Sequence, residues 1–598
     1  MSASAALAHS DLGPFPKWDL SLFYSGIDQP EIAQDLDAIA QAAKDFRARY
    51  QGQLAGLSSP DFAEAIQTYE ALEDRQGRIL SFAQLSRALD VEDPALSRFL
   101  QNTIERITRI GADLLFFTLE INKLDNAQLD SLLSDERAAR YRPWLEINLR
   151  SMRPYQLSDE LEAWLLDNSV VSRNAWVRLF DETLAVLRFE VAGEALPLEA
   201  LLNRLSDADA SIRRNAAQAL AEGLGSQHLL LTQVINTLIK AKALEDQKRG
   251  FARPVSSRNL SNAVEDEVVD ALSEAVRAAY PRLSHRYYAM KAKWFGVDKL
   301  QLWDRNAPLP QVDEPRIPWR DAQQRVLSAY GDFSPLLRDL AAPFFDRGWI
   351  DAEPRPGKEN GAFAHPSVPS AHPFLLLSYF GKRRDVMTLA HELGHGVHQR
   401  LAAEQGALMA DTPLTLAETA SVFGEMLTLQ SFLSEPLDPM QRKVLLAGKV
   451  EDMLNTVVRQ IAFYQFETRL HDARAKGELA SETIAAIWQE TQAEALGDAF
   501  HPWPDYGQFW GYVHHFIHAP FYVYAYAFGD CLVNSLYATY RKQPNGFAEA
   551  YLDMLRAGGS KRHKELLAPF GLDARNPSFW SSGLDHISEF ITTLEQLT

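Results

Sequence analysis

A single cysteine, Cys531, in 598 residues excludes an intramolecular disulfide framework and any multi-cysteine zinc or iron–sulfur site. Basic residues are few beside acidic ones. Sixty Lys and Arg against 79 Asp and Glu leave a formal charge of −19, the wrong sign for binding nucleic acid or anionic lipid, both of which need basic patches. No apolar run approaches the roughly 20 residues that span a bilayer. The opening MSASAALAHSDLGPFPKWDL lacks a basic n-region and a continuous apolar h-region, so no secretory signal is read there. Fixed-period repeats and low-complexity tracts are also missing. What is present, 46% apolar and 23% charged residues, is the balance of an ordinary soluble globular protein. At roughly 100 to 200 residues per domain, the length predicts three or more domain-sized units. The expectation is a multi-lobed cytoplasmic protein with neither nucleic-acid nor membrane partners.

Helical periodicity dominates. From Pro60 to Asn122, Phe, Leu, Ile and Ala recur three and four apart between charged positions, and Asp207 to Leu224 repeats the pattern with Asp or Ser as N-cap candidates. Strand-like stretches are short: Ala185–Ala192 (AVLRFEVA), which alternates, and His372–Phe380 (HPFLLLSYF), which Gly381 closes. The Pro- and Gly-rich segment from Pro308 to Gly361 reads as connections crossing a surface or lining a groove.

Most of the chemical information lies in GKRRDVMTLAHELGHGVHQRLAAEQ, Gly381 to Gln405. His391 and His395 are four apart, so on a helix both imidazoles face one zinc ion. Glu392, beside the first histidine, can reach a water at that ion without ligating it. The residue types suit the chemistry: neutral imidazoles bind Zn²⁺ while leaving it Lewis acidic, and a carboxylate takes the water's proton. With 15 His in the chain, chance yields this pattern about 0.03 times per chain of such composition. Arg384 to Ala403 supports one continuous helix preceded by the short apolar strand. That is the order found in zincins, where the strand presents backbone groups to an extended peptide.

The third ligand defines the subclass. A metzincin would have Gly at position 398 and His at 401, where this chain has His398 and Leu401. His398 lies seven residues past His391, about 10 Å along the helix, and is read as a supporting or packing residue. Glu404 is too far along the helix to fold back. Asp411-Thr412-Pro413 is a helix start, and LTLAETASVFGEMLTLQ after it carries Glu418 and Glu425 seven apart on one face. Only one can touch the zinc, since about 10 Å of helix separates them. We take Glu418 as the ligand and Glu425 as the carboxylate that orients a ligand histidine; spacing alone leaves the reverse order open.

HELGHGVHQ, with Glu418 in ETASVFGEM 27 residues after the first His, resembles the M3 peptidases, the thimet oligopeptidase and oligoendopeptidase F group, and most of all the oligoendopeptidase F branch. The resemblance extends to KWDLSLFYSG, to GAF at Gly361–Phe363 and to HHFIHAPFYVYAYAFGD at His514–Asp530. Family members often carry Cys after GAF; here Ala364 stands there, a change away from the catalytic residues. The resemblance implies His391, His395 and Glu418 as ligands of one Zn²⁺, Glu392 as general base and Glu425 behind the ligands. It also implies a mainly α, multi-helical zincin of the gluzincin type, with a small β-sheet beside the zinc helix and a deep substrate groove between helical lobes. Residues 1–200 would form an N-terminal helical lobe and 201–598 the catalytic region. The implied activity is zinc-dependent endopeptidase cleavage of short unstructured oligopeptides. A zinc carboxypeptidase and a non-catalytic helical zinc-binding protein are the competing readings.

The tyrosine-rich segment supplies donors for negative charge. Water attack on a peptide carbonyl builds charge on oxygen, which phenol and imidazole groups can stabilise. In helical geometry Tyr522 and Tyr526 share a face and Tyr524 points away. The family resemblance assigns contact with substrate and oxyanion to His515 and Tyr522, and also to Tyr526. An aromatic helix packed in the core is the bland alternative. A second metal site at His514 and His518, also four apart, is conceivable but has no carboxylate motif nearby. His501–Tyr512 reads as a packed aromatic loop, Lys382-Arg383-Arg384 as the solvated start of the zinc helix, and Cys531 as a buried thiol.

Overall fold

The computed structural model describes residues 11–309 and 315–597, Val170 excepted. The first ten residues of the stretch read for a signal, and 310–314 of the Pro- and Gly-rich stretch, lie outside the described residues. Helices dominate, as the periodicity predicts. The helix Pro30–Tyr50 shows why: Ile32, Leu36, Ile39, Ala43, Phe46 and Tyr50, spaced four and three apart, are its buried residues, one stripe along a 3.6-residue period. The Pro60–Asn122 stretch forms two long helices, Ser59–Leu89 and Pro94–Lys123, whose caps are Ser58 and Asp93. None of the described helices is long and apolar enough to cross a membrane.

Two local expectations change. Pro308–Gly361 holds two helices, Trp319–Phe333 and Pro335–Asp346, as well as connections. Pro318 caps the first helix, and Pro335 starts the second behind Ser334, whose hydroxyl accepts the Leu337 N–H. Proline at a helix start costs no hydrogen bond, so the composition marked helix beginnings as much as connections. Within Ala185–Ala192, the helix Arg173–Val186 extends into the first two positions. Within it the strand is Phe189–Val191 (β1), pairing antiparallel with Glu194–Leu196 (β2). The turn residues Ala192 and Gly193 both have positive φ, 52° and 85°, the geometry that matches strand twist in a two-residue hairpin.

The remaining strands, Ile350–Asp351 (β3), Phe363–His365 (β4) and Phe374–Leu376 (β5), form a sheet of order β3-β5-β4, with β3 parallel and β4 antiparallel to β5. The strand preceding the motif helix, β5, is therefore the central one, and β4, which contains Phe363 of the GAF segment, lies at the margin. All three β5 residues are buried. Asp351 is buried between Arg355 and Lys358, 2.6 and 2.7 Å away. Lys358 Nζ also donates to the Leu377 carbonyl at 2.6 Å. A buried charge is tolerated only when paired and hydrogen-bonded; here those bonds fasten β3 to the residue that leaves β5.

The chain forms two compact units, each assembled from three segments: Met1–Arg153, Glu314–Pro436 and Gln543–Phe570 in one, Pro154–Asp313, Leu437–Lys542 and Gly571–Thr598 in the other. In the first, the three N-terminal helices share a core around Phe46, Ile66, Phe82, Leu114 and Phe117 that reaches Phe374 of β5. Trp18 Nε1 donates to the Leu375 carbonyl at 2.8 Å. In the second, Trp488 contacts Phe463 and Phe466, each with its ring centre 5.3 Å away. Cys531 is fully buried there, and burial holds its thiol well above the ordinary range.

Candidate active site

The motif helix runs Arg383–Ala402. Asp385 Oδ2 starts it by accepting the N–H groups of Phe380 and Lys382, at 2.8 and 2.9 Å. Val386, Leu389, Leu393, Val397 and Leu401 are buried, each contributing about 1.5–3 kcal/mol of apolar burial. That fixes the helix rotation, and His391 and His395 then share the opposite face with ring centres 4.9 Å apart.

Glu418 arrives differently from expectation. The predicted continuous helix is broken: Leu414–Ala417 is a single turn capped by Pro413, Glu418 stands at the break, and Thr419–Leu433 follows. The Thr419 hydroxyl takes the Leu416 carbonyl at 2.6 Å, while the Tyr551 hydroxyl takes the Thr419 carbonyl at 2.8 Å. These side-chain bonds compete with the helical ladder and turn the backbone. Released from a helix face, the Glu418 carboxylate places Oε2 3.4 Å from Nε2 of both His391 and His395. Two donors of one tetrahedral zinc, each about 2.0–2.1 Å from it, lie roughly 3.3 Å apart. Two nitrogens and one carboxylate oxygen are thus of the type zinc takes, the oxygen lies at the spacing of a shared ion from each nitrogen, and three protein donors would leave a fourth position open.

Glu425 is 2.5 Å from Nδ1 of His391, so the two carboxylates address opposite nitrogens of one ring. The Ser421 hydroxyl donates to Glu418 Oε2 at 2.6 Å; its role was invisible in the sequence because serine at that spacing has no motif. Burial pushes His395 down to about 4. His391 suffers the same burial, but its bond to Glu425 and the nearby carboxylates outweigh it and push it up to about 9. Glu392 is 6% exposed. Burial drives its carboxyl up, His391 opposes this, and Glu418 and Glu425 add to it, leaving it near 7. His398 is buried, faces the Thr412 hydroxyl at 3.4 Å and is pushed down to about 4 by burial; it stands outside the His391–His395–Glu418 group.

Two glycines allow these segments to meet. A Cβ on Gly394 would lie 2.4 Å from the Ala420 carbonyl oxygen and 2.7 Å from Ser421 Cα. One on Gly424 would lie 2.2 Å from the Tyr330 hydroxyl, which donates to the Ala390 carbonyl at 2.6 Å.

The other expected residues lie in the second unit, where the structure brings them together. His515 begins the short helix His515–His518 and Tyr526 lies in the first turn of Tyr524–Lys542. Tyr522 precedes that helix, so the expected shared helical face does not exist. The rings gather all the same: Tyr522 lies 5.3 Å from Tyr526 and stacks at 5.6 Å on His515, whose Nε2 is 3.2 Å from the Tyr526 hydroxyl. Phe516 anchors the turn against Phe463 and Phe466. Phe521 has a φ of 60°, a conformation non-glycine residues seldom adopt. Its N–H is held by buried Glu467 at 2.7 Å, and Arg258 donates to the Pro520 carbonyl. Burial raises Glu467 to about 8. Tyr524 turns away, as expected, to Asn262 at 2.8 Å. The aromatic stretch after His501 packs through Tyr506, Phe509 and Trp510, all buried.

Gly394→Ala is expected to cost about 1–3 kcal/mol of stability, the usual range for overpacking, read as a lower denaturation midpoint. An unchanged midpoint would mean that Gly394 does not set the helix spacing.

The family model for peptidase family M3 matches residues 204–586, and that for oligopeptidase F matches residues 120–189. Oligopeptidase PepF of Bacillus subtilis is 23% identical over 559 residues, covering 92% of this chain and 83% of that protein. An oligoendopeptidase F homolog of Borreliella burgdorferi is 25% identical over 93% of this chain and 94% of its own length. Among solved structures, one from Chlamydophila abortus has a TM-score of 0.86 at 22% identity, covering 97% of this chain and 98% of that one. The oligoendopeptidase-F of Enterococcus faecium gives 0.72 at 20% identity, covering 95% and 98%. These likenesses show the fold, and a family match over residues 204–586 goes further: the chain belongs to peptidase family M3 and, with the oligoendopeptidase F relatives, is a metalloendopeptidase.

Proposed function

We propose that His391, His395 and Glu418 hold one zinc ion and that the enzyme uses Glu392 as general base to hydrolyse internal bonds of short, unstructured oligopeptides. The observation carrying this is the common 3.4 Å separation of Glu418 Oε2 from both imidazole nitrogens, beside a buried glutamate near 7. Zinc held there supplies Lewis acidity toward the scissile carbonyl and the attacking water. Glu392 takes the water's proton and returns it to the leaving amine, a task favoured by a carboxylate poised near neutrality. Glu425 holds His391 by Nδ1 and so leaves Nε2, beside the Glu418 oxygen, as the nitrogen that would hold the metal. Ser421 fixes the Glu418 oxygen. His515 and Tyr522, with Tyr526, are assigned as donors to the substrate's negative oxygen. Their support is the family resemblance together with their mutual contacts in the second unit. The oligopeptide class rests on the names of the relatives, oligopeptidase and oligoendopeptidase.

Turnover on a short peptide is expected to fall at least about a hundredfold in Glu392→Gln, the scale of losing a general base, with zinc retained. Near wild-type turnover would refute the assigned base. In the same assay His515→Ala and Tyr522→Phe should lower kcat more than they raise KM, as losses confined to the transition state do; a change in KM alone would remove them from the chemistry. Product mapping by mass spectrometry should show internal cuts in the peptide and none in a stable folded protein containing the same sequence. Release of single C-terminal residues alone would mark a carboxypeptidase, and no products at all a zinc-binding protein without catalysis.

The two carboxylates separate in dialysis. Glu418→Ala should lose the zinc held by His391 and His395, and Glu425→Ala should weaken its affinity by roughly ten- to a hundredfold. The opposite order of loss would exchange their roles.

A further inference from the structure

His514 and His518 are one helical turn apart, and the second unit supplies the carboxylate that their sequence neighbourhood lacks. Asp181, on the helix Arg173–Val186, places Oδ1 2.7 Å from Nε2 of His518 and 3.8 Å from Nδ1 of His514. The two imidazole ring centres are 5.6 Å apart. Donor atoms of the three side chains all lie within 4.8 Å of one another. We propose that Asp181, His514 and His518 form a second divalent-cation site, selective for zinc and similar transition ions.

An ordinary carboxylate–imidazole hydrogen bond accounts for His518 but not for His514, whose nitrogen turns to the same oxygen beyond hydrogen-bond range. The separations of 2.7 and 3.8 Å bracket the roughly 3.3 Å between two donors of one tetrahedral ion. Phe180, on the same helix as Asp181, stands edge-on to both rings at 5.4 and 6.3 Å, which limits how they can rotate. The guanidinium of Arg173, also on that helix, donates to the His518 carbonyl, so helix and turn are fastened at two places.

The donor set defines the ligand. Two imidazole nitrogens and a carboxylate suit Zn²⁺, Co²⁺, Ni²⁺ or Cu²⁺, whereas Mg²⁺ and Ca²⁺ prefer oxygen donors. The three side chains are 41–51% exposed, so ions reach the site from solvent. Three exposed ligands also make it weaker than a closed four-ligand structural site. The site stands on residues other than His391, His395 and Glu418, and does not depend on the roles given to them.

Isothermal titration of the full chain, stripped of metal, with Zn²⁺ counts the sites; Mg²⁺ serves as the control. The wild type should bind one equivalent of zinc more than His514→Gln or Asp181→Asn, the latter a near-isosteric change. His395→Ala should lose a different, tighter equivalent while keeping this one, so failure here is distinguishable from failure of the proposed catalytic site. Equal zinc stoichiometry and affinity in the wild type and in well-folded Asp181→Asn would overturn the proposal. So would competition by Mg²⁺ at comparable concentration, because oxygen-preferring binding is not what two imidazoles provide.

Discussion

The motif helix meets the segment bearing Glu418 so closely that no side chain fits at Gly394, and the candidate metal site follows from that crossing. With a Cβ at that position 2.4 Å from the Ala420 carbonyl oxygen, the helices would separate. Any separation is transmitted directly to Glu418, two residues before Ala420. Interiors are close-packed and transmit such displacements. A catalytic donor set needs placement to a fraction of an ångström, so glycine is required at this point of the helix for steric reasons and not for flexibility.

Around that crossing, charges are arranged asymmetrically. His391 has a carboxylate at each nitrogen, while His395 faces only Glu418 of the two. Burial alone would make both rings neutral, and Glu425 reverses that for one of them. Burial above all, with the negative charge of Glu418 and Glu425 adding to it, raises Glu392. A cation among these groups would offset the repulsion among three glutamates, with His391 and His395 holding it by Nε2 and Glu418 by Oε2. The donor set is thus of the kind that suits a divalent ion.

Legibility in the sequence followed the range of the interactions. HELGH could be read because its geometry is set by one helix turn, and the motif helix forms within one residue of the predicted limits at each end. The amphipathic helices of the N-terminal region were legible for the same reason. Spacing could not show the break at Glu418, because it depends on Thr419 and on Tyr551, 132 residues further along the chain. Nor could it show that Asp181 reaches His518 across 337 positions. The Pro-rich stretch was misread because proline marks helix starts as readily as loops. The interleaving of three segments in each compact unit likewise leaves no trace in local periodicity.

The central claim is that two imidazoles from one helix and a carboxylate from a broken second helix bind one catalytic metal ion. X-ray absorption at the zinc edge, on protein reconstituted with a single equivalent, tests it most directly. The expected spectrum has two imidazole nitrogens and carboxylate oxygen at about 2.0–2.2 Å, together with a light non-protein scatterer. Measured in an Asp181→Asn background under excess zinc, so that the second histidine pair cannot substitute, the carboxylate oxygen should be missing in Glu418→Ala and retained in Glu425→Ala. A coordination sphere unchanged by Glu418→Ala, or one closed by a fourth protein ligand, would contradict the account.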